Sequence, residues 1–399
     1  MGHDGTTPEH AGDAFAGVST ARAGGSTAGA DEARGDSSGA SSPRIELLGL
    51  AGDVFDRAVG GFLASRGEPA FRADQISRWV FEHRAQEFEE MTNLPLDLRE
   101  ALDASFSLTP LEPATVARSE DGTIKHLWAL DDGERVESVL IPTRERLTLC
   151  LSSQAGCALA CEFCATGHFG FRRQLRAAEI VAQYRESARI AEAELGRPIT
   201  NVVYMGMGEP LANLDAVMTS LRVLHDGFEL GARRITVSTV GLVPGIEALA
   251  RRPEQFELAV SLHAPVHELR LELMPIERRY PLPELFASLR AYQAKKNRRI
   301  SLEYTLIEGV NDDPALAERL ADLTYGLMTF VNLIPFNPIP AKPEWRPSPP
   351  DRIAAFQAVL DRRGVGSAVR TPRGRDIAAA CGQLRLAGEG EERNEAILR

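Results

Sequence analysis

The segment Cys157-Ala158-Leu159-Ala160-Cys161-Glu162-Phe163-Cys164 contains three cysteines with C-x3-C-x2-C spacing and an aromatic residue before the last one. Structural zinc sites are normally closed by four ligands, and ordinary 4Fe–4S electron carriers use four cysteines. Three thiolates in one short loop therefore indicate a 4Fe–4S cluster with one iron open to an external ligand. S-adenosylmethionine (SAM), whose cleavage starts radical chemistry, is the expected ligand. The alternatives are a zinc knuckle completed by a distant Cys or His, or three buried thiols.

Composition limits the class of protein. The 399 residues contain five cysteines, an odd number, and the chain has no early apolar signal segment. Both features favour a reducing cytoplasm over a disulfide framework. No run approaches the roughly 18 apolar residues that span a bilayer, so no membrane association is expected. The 44% hydrophobic content supports a sizeable core. Nothing in the sequence indicates an obligate interface, so a monomer is expected.

The formal net charge of −11 does not exclude a nucleic-acid enzyme. Binding depends on local patches rather than on the sum over the chain. The basic clusters are Arg172-Arg173, Arg233-Arg234, Lys295 to Arg299, and the group Arg370, Arg373 and Arg375. Each of them can equally be a solvated surface group.

Five segments are predicted along the chain. Residues 1–43 are rich in Gly, Ala, Ser and Thr and nearly lack aromatic residues, which is typical of a disordered leader. Residues 44–107 are predicted to form a helical accessory domain, because Phe71, Gln75-Ile76, Trp79-Val80 and His83 recur at helical spacing. Residues 108–146 are predicted to form a β-hairpin extension around the turn at Asp131-Asp132-Gly133. The core at residues 147–376 and a C-terminal segment at 377–399, which carries Cys381, complete the chain.

From Leu147 onward, strands alternate with helical stretches, a pattern typical of parallel β/α packing. Six strands are predicted at 147–153, 200–205, 234–238, 257–262, 300–306 and 330–334, with a seventh short strand at 366–370. Helices such as 178–194, 282–294 and 351–363 connect them. The predicted fold class is α/β, a partial (β/α)6 barrel with a small N-terminal helical domain and a β-hairpin extension. Most polar motifs follow the carboxyl end of a strand, where parallel barrels build their sites.

Five motifs carry a resemblance to a known family. They are Gln154-Ala155-Gly156-Cys157, Met205-Gly206-Met207-Gly208-Glu209-Pro210, Ser261-Leu262-His263-Ala264-Pro265, Gly309-Val310-Asn311-Asp312 and Ala380-Cys381-Gly382-Gln383-Leu384. From about Phe71 to Leu384, the chain resembles the radical SAM large-subunit rRNA adenine-C2 methyltransferases. The resemblance implies a radical SAM barrel whose helical domain contacts RNA. It also implies a set of ligand-binding residues: Cys157, Cys161 and Cys164 for the cluster, and Phe163, Gly208, Glu209, Ser238, Ser261, Leu262, His263 and Asn337 for SAM.

The same resemblance implies a reaction sequence that uses the other two cysteines. Cys381 takes a methyl group from one SAM, and a second SAM, cleaved at the cluster, yields a radical that removes hydrogen from that methyl group. The carbon then adds to adenine C2 and links the protein covalently to RNA. Cys150 releases the product by attacking the Cys381 sulfur, and Glu137 takes or relays a proton. The implied partners are 23S rRNA at its peptidyl-transferase-centre adenine, also tRNA, and an electron donor such as flavodoxin or ferredoxin.

Several alternatives remain open from the residues alone. Glu209 can be a solvated loop residue, Glu137 a surface strand residue, and His263 a structural histidine. Cys150 by itself resembles an apolar strand cysteine. Two other functions compete with C2 methylation. One is methylation of the same adenine at C8, and the other is a cluster-bearing RNA-binding or redox-sensing protein without turnover, which would not need Cys150 and Cys381.

Overall fold

The computed structural model describes residues 44–384. The predicted disordered leader at 1–43 and the last fifteen residues of the predicted C-terminal segment lie outside the described residues. In the described part, no helix is long and apolar enough to cross a membrane.

Three helices form the first part of the described chain, as predicted. They are α1 (Asp53–Ser65), α2 (Arg72–Phe81) and α3 (Leu96–Ser105), and two short parallel strands, β1 (Ile45–Glu46) and β2 (Phe106–Ser107), flank them. Helix α2 buries Ile76 and Val80, which are four residues apart and therefore lie on one helix face. Pro95 precedes the first turn of α3, where the missing amide proton costs nothing.

An antiparallel unit follows. Its strands are β3 (Glu112–Arg118), β4 (Ile124–Ala129) and β5 (Arg135–Pro142). The β4–β5 pair is the hairpin predicted around Asp131-Asp132-Gly133. Strand β3, which the sequence pattern did not predict, pairs with β4 and forms one end of the sheet. Because β5 also pairs with the first barrel strand, the hairpin is continuous with the barrel sheet.

The remaining strands confirm the predicted α/β class. They are β6 (Leu147–Cys150), β7 (Gln154–Gly156), β8 (Phe171–Gln174), β9 (Asn201–Tyr204), β10 (Ile235–Thr239), β11 (Glu257–Ser261), β12 (Ile300–Leu306), β13 (Thr329–Pro335) and β14 (Ser367–Val369). Strands β6 and β9 to β14 are parallel to one another. The full sheet has ten strands in the order β14-β13-β12-β11-β10-β9-β6-β5-β4-β3. The first predicted barrel strand ends at Cys150 rather than at Ser153, because the chain turns there to form the separate β7–β8 pair.

Helices follow or connect these strands, and most of them cover the outside of the sheet. They are α4 (Ala165–Phe169), α5 (Ala177–Leu195), α6 (Leu214–Arg222), α7 (Val243–Arg251), α8 (His267–Leu273), α9 (Leu282–Lys296), α10 (Pro314–Thr324) and α11 (Pro350–Arg362). Helix α10 begins after Asp313, whose carboxylate accepts a hydrogen bond from the Ala315 amide, an ordinary N-cap. The outward residues of the central strands, such as Leu302 and Tyr304, are fully buried against these helices.

One hydrophobic cluster extends from the N-terminal helices into the barrel. Phe81 of α2 packs against Phe228 with ring centroids 5.3 Å apart. Arg185 of α5 lies at the same junction, fully buried, and donates hydrogen bonds to the carbonyls of Ala85 (3.1 Å) and Leu108 (2.7 Å). The helical part therefore packs directly on the barrel. The domain boundaries predicted from the sequence stay a prediction.

Candidate active site

A cavity opens at the carboxyl ends of the barrel strands. Its lining includes eleven of the predicted site residues: Cys157, Cys161, Phe163, Cys164, Gly208, Glu209, Ser238, Ser261, His263, Asn337 and Cys381. They come from distant parts of the sequence, and they meet because parallel strands present their carboxyl ends at one edge. Three predicted residues, Leu262, Cys150 and Glu137, do not line the cavity. The side chain of Leu262 is fully buried in the hydrophobic core.

The cluster loop runs from the end of β7 into α4. The Cys157 amide donates a hydrogen bond to the Gly170 carbonyl (2.9 Å), which joins the start of the loop to β8. Burial raises the pKa of the Cys157 thiol to about 12 and that of Cys161 well above its ordinary value. Ionising such thiols is costly unless a cation lies beside them, so these residues are suited to binding a metal centre.

The donor set fits a cluster better than a single ion. Residues 44–384 contain no group of three or more His, Cys, Asp or Glu side chains that could hold one metal ion. A zinc knuckle requires four ligands around one ion, and the described part of the chain offers no such set. In a 4Fe–4S cluster each cysteine binds a different iron, so the three thiols surround a larger body. Cys157, Cys161 and Cys164 all lie on the cavity wall, as this geometry requires.

Glu209 lies in the turn after β9 and is only 3% exposed, so the alternative of a solvated loop glutamate is wrong. Its two carboxylate oxygens accept hydrogen bonds from the backbone amides of Leu211 (3.1 Å) and Val240 (2.9 Å). Burial raises the pKa of Glu209 to about 7, although these hydrogen bonds favour the charged form. A β-carbon at Gly208 would lie 2.5 Å from the side chain of Gln154, so only glycine permits this turn. The result is a buried acceptor that can bind an ammonium group.

His263 has the left-handed backbone conformation (φ 55°), which is unusual for a residue other than glycine. Its Nδ1 accepts a hydrogen bond from the Thr305 amide (2.9 Å), so the neutral ring carries its proton on Nε2. Burial lowers the pKa of His263 to about 3, which keeps the ring neutral. The ring lies 4.2 Å from that of Phe163 in the cluster loop. The two rings form an aromatic wall of the cavity, and their contact with SAM stays a prediction.

The segment that carries Cys381 is attached to the helix of the cluster loop. The Ala165 amide donates to the Gly382 carbonyl (2.7 Å), and the Thr166 hydroxyl donates to the Leu384 carbonyl (2.6 Å). Cys381 itself is exposed and faces the cavity. Its backbone therefore has a fixed position beside the cluster loop.

Asn337 connects the same segment to the barrel. Its side-chain amide donates to the Cys381 carbonyl (3.0 Å), and its oxygen accepts from Arg375 Nε (2.8 Å). Arg375, which belongs to one of the predicted basic clusters, thus makes hydrogen bonds inside the protein. Arg173 and Lys296 behave alike, since Arg173 pairs with Glu179 (2.8 Å) and Lys296 donates to backbone carbonyls. Each of these predicted basic clusters contributes at least one charge to internal contacts.

Cys150 lies on β6 directly behind the cavity. The backbone of Met205, a cavity residue, hydrogen-bonds to the Cys150 thiol, and Cys381 lies near enough that its ionised form would disfavour ionisation of Cys150. Burial and this interaction raise the pKa of Cys150. Both cysteines are free thiols in the structure, so the predicted disulfide is not formed in this state. Their proximity is compatible with exchange after a local movement.

Glu137 on β5 is 1% exposed, so the alternative of a surface strand glutamate is wrong. It forms an ion pair with Lys125 Nζ (2.9 Å), which is also buried. Lys125 donates a second hydrogen bond to the Ala378 carbonyl (3.2 Å), three residues before Cys381. Glu137 is therefore linked to the C-terminal segment through one lysine rather than placed in the cavity wall. The sequence did not single out Lys125.

A further carboxyl group, Glu303, lines the cavity and was also missed. It lies on β12 between Ser301 and Thr305, and the polar residues alternate with the buried Leu302 and Tyr304. This period-two pattern was readable in the sequence as a strand with one polar face. The strand was predicted, but its polar face was not predicted to line the cavity.

Comparisons with known proteins agree with this geometry. A family model described as the ribosomal RNA large subunit methyltransferase N-terminal domain matches residues 46–108, and the Radical SAM superfamily model matches residues 151–320. A probable dual-specificity RNA methyltransferase RlmN from Gemmatimonas aurantiaca is 48% identical over 342 residues, which cover 85% of this chain and 93% of that protein. The dual-specificity RNA methyltransferase RlmN of an Anaeromyxobacter species is 46% identical and covers 89% of this chain and 94% of its own length.

The chain belongs to the RlmN family. A crystal structure of a radical SAM methyltransferase from Sphaerobacter thermophilus, 48% identical, covers 86% of this RlmN-family chain and 99% of its own, with a TM-score of 0.81. Family membership confirms the predicted radical SAM fold class and an enzymatic role as a radical SAM methyltransferase. It also implies a 4Fe–4S cluster and SAM, and it rules out the predicted alternative of a cluster-bearing protein without turnover.

Proposed function

We propose that this protein methylates C2 of an adenine in 23S rRNA, at the peptidyl-transferase centre, and also an adenine in tRNA. The observation that carries the proposal is one cavity lined by the three-cysteine loop, Glu209 and Cys381. A metal centre, an ammonium acceptor and a nucleophile are thus available to a single reaction. The proposal is supported by the names of the relatives, which are dual-specificity RNA methyltransferases.

The cofactor sites follow from the same cavity. Cys157, Cys161 and Cys164 would hold the cluster. Glu209, with the backbone of Gly208, would bind the amino group of SAM. The polar and aromatic wall would enclose the rest of SAM: Phe163, Ser238, Ser261, His263 and Asn337, together with the backbone of Leu262. When bound, cluster and SAM together supply a methyl group and a hydrogen-abstracting radical. Two SAM are consumed per methylation, and an electron donor such as flavodoxin or ferredoxin reduces the cluster.

The chain's own residues would carry the methyl group and release the product. Cys381 would lose its thiol proton, and its sulfur would bond to the methyl carbon of SAM while the bond of that carbon to the sulfonium sulfur breaks, with S-adenosylhomocysteine as the leaving group. After hydrogen abstraction that carbon bonds to adenine C2, so Cys381 bridges protein and RNA. Release requires loss of the C2 proton, for which the Lys125-paired Glu137 is the acceptor or relay, and of one electron, which the oxidised form of the one-electron carrier accepts, so that the adduct becomes a closed-shell thioether. The Cys150 thiol then loses its proton, and its sulfur attacks the Cys381 sulfur. The sulfur–carbon bond breaks, and the carbon released takes up a proton and remains on C2 as the methyl group. The resulting disulfide is reopened by an external dithiol.

Mass spectrometry of nucleosides tests this function. Anaerobically reconstituted protein is incubated with SAM, a reductant and a 23S rRNA fragment or tRNA, and the digested RNA is analysed. We expect 2-methyladenosine in both RNAs. The appearance of 8-methyladenosine would establish the C8 alternative instead, and absence of tRNA methylation would restrict the proposal to rRNA. A Cys381→Ala variant, which lacks the methyl carrier, is the control.

A further inference from the structure

Glu303 is a buried carboxyl group that the proposed mechanism does not use. It lies on β12 with its side chain toward the barrel interior and is 8% exposed. One oxygen, Oε1, accepts a hydrogen bond from the side-chain amide of Asn332 on the neighbouring strand (2.7 Å). Within residues 44–384, the Glu303 carboxyl group accepts this one hydrogen bond. The carboxyl group is therefore oriented by the protein, and its second oxygen remains available to a molecule in the cavity.

The position of Glu303 relative to Cys381 limits what it can contact. Both residues line the same cavity, and the charge of Glu303 acts on the Cys381 thiol. A base that receives a carbon atom from Cys381 must lie against that sulfur. Of the other polar groups near Cys381, Asn337 is already engaged with Arg375 and the Cys381 carbonyl, and the positive charge of Arg370 acts on both Cys381 and Glu303. Glu303 is thus a cavity carboxyl group near Cys381 with one oxygen that can meet the base.

We propose that Glu303 contacts the target base directly and reads the Watson–Crick edge of adenine. This inference rests on the proposed function and adds the residue that selects the base. A glutamic acid side chain is complementary to this edge, because its carbonyl oxygen accepts from the N6 amine while its hydroxyl donates to N1. Guanine presents the opposite pattern, with an oxygen at position 6 and a donor at N1.

The same contact accounts for the choice of carbon. C2 is bonded to N1, so a base held through N1 and N6 places C2 next to the held edge, in the cavity that Glu303 and Cys381 share. C8 belongs to the other ring and points away from that edge. Burial raises the pKa of Glu303 and so favours the protonated form that adenine requires, although the Asn332 hydrogen bond and the charge of Arg370 favour the ionised form. Extruding a base from its stack and reading its Watson–Crick edge in a pocket is common among enzymes that modify bases.

Two substitutions and two base analogues test the proposal. Glu303→Gln keeps one acceptor and one donor, whereas Glu303→Ala removes both. The RNA is a 23S rRNA fragment with adenine, purine (no N6 amine) or 1-deazaadenine (no N1 acceptor) at the target position. We measure kcat/KM for each pair. In a second assay, we measure RNA affinity in the Cys381→Ala background, where turnover is absent. Iron content and SAM binding of each variant show whether the site is intact.

For the wild type, we expect each analogue to lose on the order of tenfold in kcat/KM and in affinity, the usual effect of one lost hydrogen bond in a buried site. Glu303→Gln should keep this preference for adenine, and Glu303→Ala should treat the three RNAs alike. An unchanged adenine preference in Glu303→Ala would overturn the inference. A Glu303→Gln variant as impaired as Glu303→Ala would also overturn it, because that result indicates proton transfer. Wild-type protein that methylates no RNA contradicts the proposed function instead, while the affinity assay still decides the role of Glu303.

Discussion

The two cysteines outside the cluster loop differ in their exposure, and this difference bears on the order of action that we propose for them. Cys381 is exposed to the cavity, where it can reach a methyl donor and a base. Cys150 is buried on β6 behind Met205, and burial raises the pKa of its thiol. A nucleophile so placed is protected from the methyl donor until the Cys381 sulfur comes to it. The exposure of Cys381 and the burial of Cys150 are what we expect of the proposed methyl carrier and the proposed release group.

Cys150→Ala should trap the covalent intermediate. The variant retains every group needed to join carbon to adenine but lacks the thiol that breaks the sulfur–carbon bond. We expect a protein–RNA crosslink in denaturing gels, with an adenine nucleotide left on the Cys381 peptide after nuclease digestion. The Cys150→Ala, Cys381→Ala double variant is the matched control and should form no crosslink. Normal multiple turnover by Cys150→Ala would show that another group performs the release.

Cys381→Ala should abolish methyl transfer while the cluster and SAM binding remain, because the cavity wall keeps its other groups. Peptide mapping of active wild-type protein should show roughly +14 Da on the peptide that contains Cys381, the mass of a methylene by the covalent-carrier mechanism. The measurement is mass spectrometry of the intact peptide before RNA is added. Finding the added mass on the Cys150 peptide would reverse the two roles.

At the scale of elements, the β7–β8 pair shapes the cluster loop. Gly156 ends β7 with a positive φ of 76°, and its backbone approaches Gly170 at the start of β8. A β-carbon at Gly156 would lie 1.9 Å from the Gly170 oxygen. That oxygen also accepts the hydrogen bond from the Cys157 amide. The position of the first cluster cysteine thus depends on the absence of a side chain beside it.

Gly156→Ala should lower the iron content of reconstituted protein several-fold, because the β-carbon forces β7 and β8 apart and displaces Cys157. Gly170→Ala is the matched control. Gly170 also has a positive φ (86°), yet nothing lies within 4 Å of its would-be β-carbon. It should therefore show only the backbone strain, about 1 to 3 kcal/mol of unfolding free energy, with most of the iron retained. Equal iron loss in both variants would attribute the effect to strain alone.

At the scale of the whole molecule, buried polar groups connect parts that are distant in sequence. Arg185 joins α5 to the carbonyls of Ala85 and Leu108, and Lys125 joins β5 to the C-terminal segment. His126 on β4 is different. It is fully buried against Trp128, and neither ring nitrogen hydrogen-bonds to a residue between 44 and 384. Burial lowers the pKa of His126 to about 4.

The contribution of His126 to stability should therefore decrease as the pH falls from about 6.5 to 4, while buried His263 acts in the same direction and Glu209, whose pKa is raised, acts in the opposite one. In this window an unfolded histidine binds a proton, with an ordinary pKa of about 6.5, while buried His126 does not. The unfolded state gains free energy accordingly, and at pH 4.5 the loss attributable to His126 is about 2 to 3 kcal/mol. His126→Phe, which preserves an aromatic ring beside Trp128, should reduce the pH dependence by this amount in urea unfolding followed by circular dichroism. An identical slope in wild type and variant would contradict the assignment.

Patterns confined to a few neighbouring residues were sufficient for much of the fold. The strands of the barrel were predicted to within three residues at each end, because apolar runs and the turns between them depend on local sequence. The three-cysteine spacing located the cluster loop, and the family resemblance implied the other eight predicted residues of the cavity wall. Strand β3 was missed because it is an edge strand whose residues are largely exposed, so it lacks the apolar alternation that marks a half-buried strand.

Tertiary structure decided the environment of each group. Whether Glu137 is a surface residue or a buried one depends on β5 pairing with both β4 and β6 and on Lys125, which lies on the neighbouring strand. The proximity of Cys150, Cys381 and Glu303 depends on the barrel closing and on the C-terminal segment attaching to the cluster loop. Burial, charge and the pKa of a side chain arise from contacts between residues far apart in the chain, and local sequence patterns do not contain them.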